Sequence, residues 1–208
     1  METKSGRRGR LPASERAARE AAVLDAAEQE MLEHGYAHVT MLGIARRAGA
    51  SKETLYSWFG NRDGLFAAMI ARNADRAAGA VQRALDGGTP ARETLVGFAT
   101  GLLILLTSPA SVALNHAAMQ SPELAEQLLA SGRYRVGPLV ERYLAELDRA
   151  GQVRVADPEA AFTTLYGLII RDDQIRVLLG EPAATGKQVR RRAETAVDQF
   201  LALHAPAG

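Results

Sequence analysis

Eight consecutive residues, Ser51 to Trp58 (SKETLYSW), bring together a cation, a carboxylate, hydroxyls and an indole. If Leu55 and Phe59, four apart, bury the inner face of one helical segment, then Lys52, Glu53, Tyr56, Ser57 and Trp58 lie on its sides and outer surface. Groups of these types exchange hydrogen bonds with phosphate oxygens and base edges, the contacts that position a protein on a duplex and let it read sequence. Arg62 follows at what reads as an exposed helix start. There it either meets a backbone phosphate, together with free N–H groups, or pairs with a neighbouring charge.

Bond-breaking chemistry has no comparable constellation. The chain contains no Walker loop, G-x-S-x-G or H-E-x-x-H. The residues three before His34, His38, His116 and His204 are Met31, Gly35, Ala113 and Leu201, so the Glu-x-x-His pairs of a di-iron bundle are missing. His34 and His38 are four apart, but Gly35 breaks the helix between them, and they read as surface histidines rather than a metal pair. Asp172 and Asp173 are adjacent, which on a helix points them about 100° apart; they read as partners of Arg171 or Arg176. The expectation is no enzyme, no metal and no cofactor.

The elements that must hold the polar set run from Thr40 to Phe66 (TMLGIARRAGASKETLYSWFGNRDGLF). Thr40 caps a first helix, with Met41, Ile44, Ala45 and Ala48 spaced to form one buried face. Gly49 accepts the left-handed position that ends this helix, and Ser51 caps the next. Two short helices joined by a glycine turn form a helix-turn-helix, whose second helix enters a major groove.

These residues resemble a known family. The pattern T-x-x-x-I-A-x-x-A-G-x-S-x-x-T-L-Y-x-x-F, followed by a polar residue, a basic one, an acidic one and Leu-Phe, is similar to that of TetR/AcrR transcriptional regulators. It stands as Thr40, Ile44-Ala45, Ala48-Gly49, Ser51, Thr54-Leu55-Tyr56, Phe59, Asn61-Arg62-Asp63 and Leu65-Phe66, without insertion. Leu42 and Gly43 replace the polar or charged residues usual there, Glu53 a glycine, and Trp58 a histidine or tyrosine. Gly43 costs about 1 kcal/mol of helix propensity and softens the first helix. The resemblance implies Thr40, Tyr56 and Arg62 on phosphates with Trp58 alongside, and Ser51, Lys52, Glu53, Thr54 and Ser57 contacting bases or supporting such contacts. It also implies a homodimeric regulator on double-stranded DNA, most often a repressor that a small effector releases.

Composition suits this reading. Of 208 residues, 47% are apolar, 24% charged and only 5% aromatic, an ordinary helix-favouring globular chain. There is no cysteine, hence no disulfide or thiolate metal site, and no N-terminal apolar run follows the first basic residues, which leaves the cytoplasm as the expected compartment. Net charge is only +1, but Lys4, Arg7, Arg8, Arg10, Arg16 and Arg19 face only Glu2 and Glu15 over the first nineteen residues, a local excess of 6 − 2 = +4. Beside a helix-turn-helix, this basic arm is read as tracking phosphates or a minor groove, with Arg7, Arg8 and Arg10 as its contacts.

The expected fold is all-α: an arm over 1–13, a three-helix DNA-binding head over 14–63, and a helical effector-binding and dimerisation domain over 64–208. Ser14 is read as the cap of the first helix, running to His34, with Tyr36 and Val39 plugging the head core. Asn61 caps a helix to about Leu85, and Asp86-Gly87-Gly88-Thr89-Pro90 breaks the chain. Ala91 to Thr107 is apolar almost all round and too short to span a bilayer, so it reads as a buried central helix. Its Gly97 and Gly101 allow either close packing or a gap for a small, largely apolar ligand beside Phe98 and Leu102. Asn115, His116, Met119 and Tyr166 complete that candidate pocket, although for Asn115 and His116 backbone partners are the commoner explanation. Arg133 and Arg135 have the chemistry to hold an anionic ligand, with solvated surface the favoured reading. One helix is expected from Pro122 to Ala150, open to a break near Gly132 or Gly137-Pro138, and another from Pro158 to Gly180. In the last helix Val189, Ala193, Ala196, Phe200 and Leu203 step by 4, 3, 4, 3, a seam suited to a four-helix dimer interface.

Overall fold

The structure is a computed structural model describing residues 13–206. Among these residues the chain forms eleven α-helices and no strand. It divides into two compact units, Met1–Phe66 and Ala67–Gly208.

The first unit contains α1 (Ala13–His34), a 3-10 turn at Tyr36–His38, α2 (Met41–Ala48), α3 (Lys52–Phe59) and the start of α4 (Arg62–Leu85). Its core is built from one face of each: Val23, Leu24, Ala27 and Met31 on α1, Met41, Ile44 and Ala45 on α2, and Leu55 on α3. Tyr36 and Val39 fill the space between, with the Tyr36 ring edge-on to Phe66 at 5.0 Å. Local chemistry sets every boundary in the helix-turn-helix. The Thr40 hydroxyl accepts from the Gly43 N–H at 3.0 Å, the Ser51 hydroxyl from Thr54 at 3.2 Å, and the Asn61 side chain from Gly64 at 2.8 Å. Each such cap stabilises by about 1 kcal/mol. Gly49 ends α2 at φ 62°, a left-handed conformation that a Cβ would strain. Ser14 is not the cap expected of it; α1 is already formed at Ala13, which places Ser14 inside the first turn.

The second unit contains α5 (Ala91–Leu106), α6 (Pro109–Ala118), α7 (Pro122–Ser131), α8 (Arg133–Arg149), α9 (Pro158–Ile170), α10 (Asp173–Leu178) and α11 (Lys187–Leu203). Helices α5, α8, α9 and α11 enclose one core around Leu95, Leu103, Leu144, Leu165, Ile169 and Phe200. The helix expected from Pro122 to Ala150 breaks at Gly132, whereas Pro138 is carried inside α8. The one expected from Pro158 to Gly180 stops at Ile170, because Arg171 turns to φ 45°, the single positive-φ residue other than glycine among the described residues. Nor is α5 buried all round. Gly97 and Gly101 are exposed, nothing lies within 4 Å of where a Cβ would stand, and Ile104 is 57% exposed. No neighbouring helix therefore packs closely on that strip.

The seam of α11 is also used differently. Val189, Ala193, Ala196 and Phe200 are buried within this chain, in the core that α11 forms with α5 and α9. Only Leu203 faces outward. A narrow apolar step marks a buried stripe but does not say whose helices cover it, so these four residues are core rather than dimer seam. Among the described residues no single helix is long and apolar enough to cross a membrane.

Candidate nucleic-acid interface

Helix α3 presents Lys52, Glu53, Tyr56 and Ser57 to solvent while Leu55 is wholly buried beneath them. The Lys52 ammonium lies 5.5 Å from the centre of the Tyr56 ring, a contact that steers both side chains along one side of the helix. Ser51 is exposed, but Thr54 is half-buried and its hydroxyl lies 2.9 Å from that of Ser51, so this pair belongs to the cap as much as to the outer face. Trp58 is half-buried, stacked beneath Arg16 of α1 at 5.7 Å and edge-on to Phe59 at 6.3 Å. It joins α1 to α3 rather than standing free beside Tyr56.

Helix α2 is held to α1 by Arg47. Its guanidinium donates to Glu30 at 2.7 Å, to Gln29 at 3.4 Å, and through both terminal nitrogens to Glu33. The Glu33 carboxylate first, and Glu30 second, hold Arg47 more firmly charged than a free arginine. Gly43 is part of this arrangement. A Cβ there would stand 2.8 Å from a Glu30 carboxylate oxygen, so the glycine that softens α2 also lets Glu30 lie against its first turn. His34 lies 3.9 Å from Glu30 and 3.8 Å from Glu33, a trio with metal-ligand chemistry whose two carboxylates are already engaged by Arg47. Arg46, the next residue back, is exposed and has no side-chain partner among the described residues.

Arg62 turns inward. Its guanidinium lies over the Tyr36 ring at 4.4 Å, donates to the Tyr36 carbonyl at 3.4 Å and approaches Asp63 at 3.7 Å. The Tyr36 hydroxyl donates to Asp63 at 2.5 Å; burial first, then this bond, push the Tyr36 phenol above its ordinary pKa. Thr40 is exposed with its hydroxyl in the cap of α2. Arg7, Arg8 and Arg10 lie outside the described residues.

The expected ligand set does not converge. Phe98 is buried in the core, Gly101 and Met119 face solvent, and Leu102 and Tyr166 are half-buried. Asn115 donates to the Ser111 carbonyl at 2.8 Å and a His116 ring nitrogen lies 3.1 Å from the Leu178 carbonyl, so both satisfy backbone groups. Two concavities in this unit, of roughly 320 and 480 Å3, share Asp173, Arg176, Gln188 and Arg192; none of the seven expected residues lines either.

With the helix-turn-helix and its exposed outer face established, known proteins decide the family. Residues 23–69 match the description of bacterial regulatory proteins of the tetR family, and residues 93–206, more than half of the chain, match the C-terminal domain of AefR-like transcriptional repressors. The chain belongs to the TetR family. It is a DNA-binding transcriptional regulator, and the family is one of regulators rather than enzymes.

A crystal structure of a TetR transcriptional regulator from Agrobacterium tumefaciens is 36% identical, with a TM-score of 0.74 over 90% of this chain and 95% of that one. The flavonoid-responsive regulator FrrA is 26% identical, with a TM-score of 0.67 over 92% of this chain and all of that one. The transcriptional activator FasR of Mycolicibacterium smegmatis (strain ATCC 700084 / mc(2)155) is 38% identical over 90 residues, 43% of this chain and 40% of FasR. This TetR-family chain spans less than half the length of the curated relatives it matches, between 37% and 46%.

Sequence reasoning missed the Arg47 anchor, the Arg16–Trp58 stack and the inward turn of Arg62. The partners of Arg47 lie 14 to 18 residues away, and that of Arg62 lies 26 away, beyond any local periodicity.

Proposed function

We propose that this TetR-family protein is a cytoplasmic, homodimeric repressor that binds an inverted-repeat operator and is released by a small, largely apolar effector. The observation that carries the DNA reading is the exposed set Lys52, Glu53, Tyr56 and Ser57 on a helix whose opposite face is locked by Leu55. Lys52, Glu53 and Ser57, with Ser51 and Thr54 in support, meet base edges, while Tyr56 and the exposed Thr40 meet phosphates. The arm with Arg7, Arg8 and Arg10 adds sequence-independent attraction. A basic arm over 1–13, a head ending within the first turn of α4 and an effector-binding and dimerising remainder are the working division.

Two half-sites need two heads. Because the α11 seam is spent inside the chain, dimerisation falls to the outward faces of α9 and α11, where Thr164, Gly167, Arg191 and Thr195 are exposed. Repression follows the C-terminal match, which covers more than half of the chain; FasR, matched over a smaller share, is named an activator. Response to a small molecule follows FrrA, whose name states that it responds to flavonoids.

The test is selection of bound sequences from a random duplex pool at two salt concentrations. The expected result is an inverted repeat, with affinity falling steeply in salt. A single half-site, or no enrichment by folded protein, refutes the dimeric reading. A reporter placed behind the selected operator then gives the sign of control, and a rise in its output on adding the protein refutes repression.

A further inference from the structure

Arg133 is the first residue of α8, directly after the break at Gly132. Its guanidinium lies 4.8 Å from the centre of the Tyr166 ring and 5.6 Å from that of Phe162, and it donates to the Thr163 hydroxyl at 3.3 Å. Among the described residues no carboxylate pairs with it. Several arginines of the unit are ion-paired, Arg135 with Asp75, Arg176 with Glu181, Arg192 with Asp173 and Arg92 with Asp198. Arg142 and Arg171, like Arg133, bond to neutral side chains, and of these three Arg133 is the one that lies over aromatic rings. Tyr166 is half-buried, and its hydroxyl has no hydrogen-bond partner among the described residues. Burial raises its phenol above the ordinary value, which keeps the hydroxyl a donor at neutral pH. A cation and a phenol ring therefore lie beside the buried Phe162 ring, and among the described residues the Thr163 hydroxyl is the guanidinium's acceptor and no carboxylate reaches it.

A ring stack is the weaker use of an arginine. A carboxylate offers charge-assisted, bidentate bonds that outrank it. We propose that Arg133, Thr163 and Tyr166 receive the acidic group of the effector, whose apolar body lies against the aromatic wall, so that the ligand class is an amphipathic carboxylate. The proposal rests on the effector reading given above and narrows it from largely apolar to apolar with one acid.

The same helix offers a route for the response. Arg135 of α8 pairs with Asp75 of α4, and Arg142 donates to Gln82 of α4 at 2.8 Å. Helix α4 begins with Arg62, whose guanidinium covers Tyr36 in the head. A carboxylate that draws the start of α8 toward itself acts on α4 through these two contacts. It shifts the DNA equilibrium only by as much as it prefers one arrangement over the other.

The test uses the full chain and two matched probe pairs, decanoate with decanol and 2-naphthoate with 2-naphthalenemethanol, followed by titration calorimetry. At least one acid should bind roughly ten- to a hundredfold more tightly than its alcohol, the range expected for a charge-assisted bond. Arg133→Met should weaken the acid far more than the alcohol and so remove that difference, and Arg133→Lys should restore part of it. DNA affinity without ligand should be the same in all three proteins. Equal binding of acid and alcohol, no binding of any of the four probes, or undiminished acid binding by Arg133→Met overturns the assignment. Release of DNA by a neutral compound in a broader screen, alongside any of those results, leaves the effector reading standing and removes only this site. Failure of every compound to release DNA removes both.

Discussion

Substituting two residues of the same α11 seam should have opposite consequences. Phe200 is fully buried inside the chain, its ring 4.5 Å from that of His204, whereas Leu203 is 67% exposed. Phe200→Ala removes most of a buried aromatic side chain and leaves a cavity, a loss of about 3–5 kcal/mol. With a urea dependence of about 2 kcal/mol per molar for a domain of this size, the unfolding midpoint should fall by about 2 M. Leu203→Ala should stay within about 0.5 kcal/mol, as surface changes do, a shift of about 0.25 M. Far-ultraviolet circular dichroism in urea reads both, repeated over a hundredfold range of protein concentration to separate folding from association. If both variants keep the parental midpoint at high concentration and both dissociate on dilution, the seam lies between chains and the core assignment is wrong.

Other consequences are equally measurable. Leu55→Ala, at the centre of the head core, should cost about 2–5 kcal/mol and reduce DNA affinity although Leu55 itself is buried; retention of parental affinity would show that α3 does not depend on that anchor. Lys52→Ala should weaken operator binding and relax sequence preference, whereas Tyr56→Phe should weaken all sequences alike, as competition binding on single-base variants of the selected site would show. Arg92 holds the Asp198 carboxyl below its ordinary value. The pair therefore stabilises above the unfolded carboxyl pKa of about 3.9, and the benefit is lost as pH falls through the lower folded value. Asp198→Asn should accordingly melt earlier than the parent at pH 6, and the gap should narrow progressively as pH is lowered below the unfolded carboxyl value of about 3.9; a gap that stays constant on acidification would contradict this.

The head was legible because its boundaries are written in local chemistry. Thr40, Gly49, Ser51 and Asn61 act within three or four residues of themselves, and the apolar steps of α2 and α3 name their own buried faces. Legibility failed where a side chain chooses among distant partners. Arg62 has the right type and place for a phosphate, yet the Tyr36 ring lies closer to hand. The end of α9 has no sequence signal, because an arginine in the left-handed region is not what a helix stop usually looks like. In α5, glycine spacing suggested either packing or a gap, and the helix instead turns that strip to solvent. The α11 period was correct, but a period specifies a stripe and not its owner.

Trp58 is the only tryptophan in the chain, and it sits in α3, half-covered by Arg16. Indole emission depends on local water and on nearby charge, and both would change if duplex covers α3 as proposed. With α3 on the operator as proposed, Trp58 is a built-in optical gauge of occupancy. Binding curves, release by effectors and the kinetics of both can be followed without a dye, and Trp58→Phe supplies the dark control.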